Sequence, residues 1–362
     1  MNRRTQWLFA AAVLLGAAAV YSLRRADSPN ESILTLTSAS YRLDRIYGSM
    51  QGPSSVQSAI RLTENANCPW QWITGLETEV VDITGQTRVS PEFFCHSNLT
   101  FAEHGPTPEQ YNARSGGKTH LDWRLFSLVP GRWSIELPEG FGVPVPSDAV
   151  LDHFTMSLKL NPRPEAVNVR MRTRLHSVAA DQAGAPTKAL FRRAVYVLQR
   201  ELDSGGTGAK CITKPGADHI GAGCGEWRQV AMSNGSTMLM PSEGMTNHWT
   251  VLPGRHVYQS EITPQLNLPF DTTIHYATIH VHPFACGMEL HDLTTGKSVL
   301  RLNSRDWADR LGVAHVDELK SIEGVPIFRG HRYQLTVEYD NTSGANTDAM
   351  AILYLYLLDK NV

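Results

Sequence analysis

The run Ile274-His275-Tyr276-Ala277-Thr278-Ile279-His280-Val281-His282-Pro283-Phe284 holds the densest chemistry in the chain. Its β-branched residues predict an extended strand, on which residues i and i+2 share a face. His280 and His282 then point the same way, with Tyr276 and Thr278 continuing that face and His275 on the opposite one. Two imidazoles side by side on a rigid strand make a bidentate clamp for a borderline metal such as copper or zinc. A half-buried polar strand that merely contains two histidines satisfies the same spacing, so the pair alone does not decide. Near the C-terminus, Asp348-Ala349-Met350-Ala351-Ile352-Leu353-Tyr354-Leu355-Tyr356-Leu357 also alternates, which puts Met350, Ile352, Tyr354 and Tyr356 on one face. By composition alone, Met350 reads there as a core methionine.

The elements that must hold these residues are strands. Residues 33–37 and 133–137 alternate, residues 78–83 are β-branched up to a turn at Gly85, and Pro-Gly or Asn-Thr-Ser-Gly turns punctuate at short intervals. Short strands between turn signals predict a sandwich or barrel. Helix signals are weak, the best being 304–311. The stretch 204–242 is rich in Gly, Ser and Lys and reads as a long insertion. The strand pattern breaks near 179–187, where a domain boundary is expected. With 362 residues, two domains of about 150 residues each have room.

At the N-terminus, Arg3 and Arg4 precede an apolar run over residues 7–23, and Arg24 and Arg25 follow it. That pattern predicts a signal or a single membrane anchor over residues 1–30, the uncleaved anchor being the better fit because Tyr21-Ser22-Leu23 is a poor cleavage site. The remainder is then exported, to the periplasm or cell surface. A net charge of −2 and the absence of a basic stripe argue against nucleic acid as a partner. Five cysteines fit an exported protein. Cys211 with Cys224 is positioned to staple the insertion, and Cys68 with Cys95 is the expected second bridge. Cys286 reads as a buried hydrophobe. No GxSxG elbow, HExxH, phosphate loop or dinucleotide fingerprint is present.

The HxH strand, a later strand from Gly330-His331-Arg332-Tyr333 to Glu338-Tyr339, and a Met-x-x-x-Tyr strand near the chain end together resemble the copper type II, ascorbate-dependent monooxygenases. That family includes peptidylglycine α-hydroxylating monooxygenase and dopamine β-monooxygenase. The order of the pieces and the spacing from His282 to Met350 agree with the family over roughly residues 250–360. The resemblance implies His280, His282 and Met350 as ligands of one copper ion, with Tyr354 ordering the site. Two imidazoles and a thioether suit Cu(I), whereas zinc more often takes a third His or a carboxylate.

The family's second copper needs an adjacent His pair in the first half and a third His on a later strand. Here Phe94-Cys95-His96-Ser97 supplies only His96, and Lys159 stands at the expected third position. His153 shares that strand's face but lies about 20 Å further along it. A second copper is therefore left open.

The expectation is an all-β chain: two tandem antiparallel β-sandwich domains of jelly-roll type, 31–186 and 187–362, behind the N-terminal segment. Its implied activity is hydroxylation of an aliphatic C–H in a small molecule or peptide, with dioxygen and ascorbate or another external reductant. Two other readings stand beside it. One is a non-catalytic copper- or partner-binding protein that kept only the C-terminal site, and the other is a metal-free β-sandwich that binds carbohydrate or protein.

Overall fold

A computed structural model describes residues 31–63, 70–200, 227–231, 237–241 and 245–361. The N-terminal segment, Cys68, Cys211, Cys224 and most of the 204–242 insertion lie outside the described residues. Ser32–Val362 forms one compact unit. Among the described residues, no helix is long and apolar enough to cross a membrane.

The chain is an all-β sandwich built on one long sheet. Eight strands run across it in the order Ser32–Thr37, Val167–Ala179, Trp70–Val81, Phe141–Pro146, Lys188–Tyr196, Ala351–Asp359, Thr272–Val281 and Glu318–Ile327. Neighbours pair antiparallel except at one point, where Phe141 and Gly142 pair in parallel with Lys188 and Ala189. That parallel contact joins the first half of the chain to the second. The 179–187 break in the strand pattern is the turn that leads from one half of the sheet into the other.

Two smaller sheets cover this one. Ser54–Ile60, Leu151–Ser157, Phe94–Phe101 and Arg124–Leu128 form a four-stranded sheet, and Leu99, Phe101 and Phe126 from it share a core with Leu36, Leu76 and Leu175 of the long sheet. Gly254–Glu261, Tyr333–Asn341, Ala285–Asp292, Lys297–Asp306 and Val313–Val316 form a five-stranded sheet. Its Met288, Leu290, Leu335 and Val337 pack on Ile279, Leu353 and Leu355 in a second core. Residues 304–311 do not form a helix; the Lys297–Asp306 strand runs on to Asp306 and a turn follows.

The sequence of Ala351–Asp359 explains its place. In AILYLYLLD, alternation sends Leu353, Leu355 and Leu357 into the second core and Ile352, Tyr354 and Tyr356 to the other face. Both faces are buried. The second face is a seam against the first half, and its residues are polar-tipped: Tyr356 OH donates to Leu125 O at 3.0 Å, and Arg192 Nη2 donates to Ser127 Oγ at 3.1 Å. Buried hydroxyls and guanidiniums need such partners. Their presence fixes how the two halves meet.

Candidate functional site

The site forms where the HxH strand reaches that seam. In the pairing of Thr272–Val281 with Ala351–Asp359, His280 stands opposite Ile352 and Thr278 opposite Tyr354. Directly opposed residues share a face, so His280 looks into the seam. Met350 packs with Ile352, Tyr354, Tyr196, Leu198 and Val129 on the same face. It is thereby the diagonal cross-strand neighbour of His280, a position within reach of a long side chain.

From the other side, the Phe94–Phe101 strand delivers His96. Cys95 is an extra residue in its pairing with Leu151–Ser157, and the bulge re-aims the residues beside it. The ring centroid of His96 lies 5.0 Å from that of His280, and that of His282 lies 5.3 Å from His280. The sequence candidates His280, His282 and His96 thus stand ring beside ring, with Met350 on the neighbouring strand and the same face. His96, expected in a separate first-half site, stands against the HxH strand instead.

His280 is 1% exposed, and neither of its ring nitrogens has a hydrogen-bond partner. Burial first, then the neighbouring His96 and His282, push its pKa well below the usual histidine value. It is a neutral imidazole with its lone pair uncommitted. His282 is differently placed. Its Nε2 lies 2.9 Å from Ser49 Oγ and its Nδ1 3.0 Å from Oδ2 of Asp348. Asp348 also approaches Nδ1 of His248 at 3.6 Å. Burial alone would raise the Asp348 carboxyl; His282 and His248 outweigh it and hold it far below the carboxylate range. His248 reaches Asp348 because Trp249–Val251 pairs with Thr347–Ala349, opposing Thr250 and Asp348.

His248, Ser49 and Asp348 had no signal in the sequence pattern. Each reaches His282 from a loop or a two-stranded ladder, and only the folded chain brings them there. Tyr354 is buried in the seam with the Arg192 guanidinium carbon 4.7 Å from its ring centroid. Among the described residues, no three His, Cys, Asp or Glu side chains are arranged as a metal site. His96, His280 and His282 are neighbours by their rings without converging on one metal position.

Several expectations are corrected. Cys95 is a buried free thiol, not half of a bridge. Its Sγ lies 3.0 Å from Nδ1 of His96, and burial raises its pKa to about 12. Cys286 is exposed, because it is the unpaired residue of a bulge between Ala285 and Gly287. His275 is bulged too: it packs on Phe141 of the first core, with ring centroids 4.3 Å apart, instead of facing away from that side. His153 is held by Ser97 Oγ at 2.9 Å, and burial lowers its pKa to about 4. Lys159, at the family's third position, is buried and donates from Nζ to Leu43 O at 3.2 Å.

A half-open cavity of about 240 Å³ lies against His280 and His282. Its wall includes Phe284, whose φ of 72° is unusual for a residue with a side chain. Asp306 Oδ2 accepts from Phe284 N at 2.7 Å and holds that turn.

No protein-family model and no curated protein sequence matches the chain. Among solved structures it is similar to the major capsid protein P2 from bacteriophage PM2, at 12% identity over 89% of this chain and 97% of that one, with a TM-score of 0.30. It is also similar to PNGase F, a glycosylasparaginase from Flavobacterium meningosepticum, at 8% identity over 91% and 97%, again with a TM-score of 0.30. Likeness at that level carries no argument for this chain.

Proposed function

We propose that the chain is an extracytoplasmic protein that binds one copper ion at the seam, through His280 and His282 with Met350 and His96. The observation that carries this is the state of His280. A buried imidazole without a hydrogen bond costs on the order of 1–3 kcal/mol, and a metal bond is the interaction that best repays it. The donor set fits copper: imidazoles with a thioether at the diagonal position suit Cu(I) more than they suit zinc. Asp348 at Nδ1 would orient His282 in the way an outer partner orients a metal-bound histidine, with Nε2 exchanging Ser49 Oγ for the metal. The export part of the proposal is supported by the Arg-flanked apolar run at residues 7–23.

The single-copper reading is preferred to a two-copper monooxygenase because the first-half candidates are engaged elsewhere. His96 lies at His280, His153 at Ser97, and Lys159 at Leu43 O. One observation favours the hydroxylating reading as second choice: an apolar cavity opens on the histidine pair. Copper with a free position supplies dioxygen binding, and the chain would supply the cavity beside it and Tyr354 to order the seam.

The test is copper stoichiometry of the full-length protein after reduction and desalting, with His280→Ala, Met350→Ala and His96→Ala. One copper, lost in His280→Ala and weakened in Met350→Ala and His96→Ala, is the expected result. Two coppers would favour the monooxygenase reading with ascorbate or another reductant. No copper in any form would leave only the fold.

A further inference from the structure

We infer that the cavity beside His280 and His282 is a binding site for a small, uncharged, largely apolar molecule about the size of one substituted ring. The inference rests on the copper reading only for what such a ligand would be held there to do; the binding itself belongs to the cavity.

Size comes first. An apolar cavity of about 150 Å³ takes benzene, and this one offers about 240 Å³ and a half-open mouth. A ring with a short substituent fits, and a longer tail would leave through the mouth. Chemistry comes next. Phe94, Leu158, Phe284, Trp307 and Val313 line it, so the bulk of the ligand meets apolar and aromatic walls, as in small-molecule sites generally.

Charge decides the class. No Lys or Arg is among the described lining residues, and the two carboxylates there, Glu92 and Asp348, are already committed. Glu92 is ion-paired with Arg163, has Arg310 Nη1 at 3.6 Å, and accepts from Asn161 Nδ2 at 3.4 Å. Asp348 faces His282 and His248. A cation entering would find no free partner, and an anion would meet two carboxylates. A neutral ligand loses nothing on either count.

The walls are set before any ligand arrives. Trp307 stacks on Trp133 with ring centroids 6.4 Å apart. Asn161 donates to Leu311 O at 2.9 Å and accepts from Leu311 N at 3.0 Å, which ties the lip of the second half to the first. Phe284 is fixed by Asp306. Among the described lining residues, the His280 and His282 rings, Ser49 and the unpartnered Thr347 hydroxyl offer polar contact, so the ligand's polar end would abut the imidazoles and that hydroxyl.

The test is calorimetric titration of metal-free, full-length protein with toluene, benzoate and benzylamine, three probes of one size and different charge. Toluene should bind at least tenfold more tightly than either ion. Leu160 also lines the cavity, and Leu160→Trp should weaken toluene at least tenfold by filling it. Leu311→Trp, at the exposed lip where folding is not at risk, should weaken it in the same direction. Equal affinity for an ion, wild-type affinity in both tryptophan variants, or no toluene binding would overturn the inference. Copper titration of the same samples judges the other reading separately: toluene without copper removes the metal proposal and keeps this one, and copper without toluene does the reverse.

Discussion

Replacing His280 by leucine should stabilise the metal-free protein, and replacing His282 by leucine should destabilise it. The two residues are the same type, two positions apart, and the opposite signs follow from their partners. His280 is buried with both ring nitrogens unbonded and is held neutral. Its removal relieves a desolvation cost of about 1–3 kcal/mol, against a shape penalty of less than about 1.5 kcal/mol for an apolar swap. The net gain is on the order of 1 kcal/mol. His282 instead contacts Ser49 and Asp348, and leucine there leaves Asp348 without its nearest partner. Because the Asp348 side chain is 47% exposed, solvent screens the pair, and a loss of about 1–2 kcal/mol is expected. Urea unfolding of EDTA-treated protein reads both numbers, with m-values checked for constancy. Added copper at about 100 times its Kd should raise the wild type by about 2.7 kcal/mol and His280→Leu by nothing measurable. Destabilisation of the metal-free protein by His280→Leu, or copper stabilisation that survives it, would refute the reasoning that His280 is strained for the sake of a metal.

Other perturbations test the frame around the site. His153 has a folded pKa of about 4 against 6.5 unfolded, so the unfolded chain takes up the proton first and stability falls as pH drops from about 6.5 to 4, by up to about 3 kcal/mol. His153→Gln should flatten that part of the pH–stability curve, and an unchanged slope would count against a buried neutral His153. Asp306 has its pKa raised to about 6 by burial, partly offset by the Phe284 N–H. Its contribution is therefore present below about pH 4 and lost as pH rises through 6. Asp306→Asn should raise the melting midpoint at pH 7.5 and leave it nearly unchanged at pH 4, a difference of about 2 kcal/mol. Gly324 has φ of +78°, and an added Cβ would lie 2.7 Å from His275 Cε1. Gly324→Ala should cost more than about 2 kcal/mol in thermal unfolding, and a neutral effect would show that the Glu318–Ile327 strand repacks.

How far the sequence could be read depends on the range of the interaction. Strand period alone put His280 and His282 together and Met350, Tyr354 and Tyr356 on one face, because alternation is a local property. The same rule failed at His275, where a bulge adds a residue and breaks the alternation. Cysteine character misjudged Cys286, which a bulge exposes, and the expected bridge misjudged Cys95, whose burial among Phe154, Met156 and Leu158 is a packing fact that spacing does not contain. The Asp348–His282–Ser49 contacts span residues far apart in the chain and close only when both halves have folded. The continuity of the long sheet was equally hidden, since it hangs on two residue pairs, Phe141 with Lys188 and Gly142 with Ala189.

The strands Lys188–Tyr196, Thr272–Val281 and Ala351–Asp359 form a party wall: one surface belongs to the second core, the other to the neighbour across the seam. Neither tenant can leave without stripping it. A fragment ending at residue 186 would lose the partners of Leu125 and Ser127, and a fragment starting there would bare Tyr354, Tyr356 and Arg192. The halves therefore depend on each other for their buried polar contacts. A ligand at His280 sits in that wall, so holding it tightens both rooms at once.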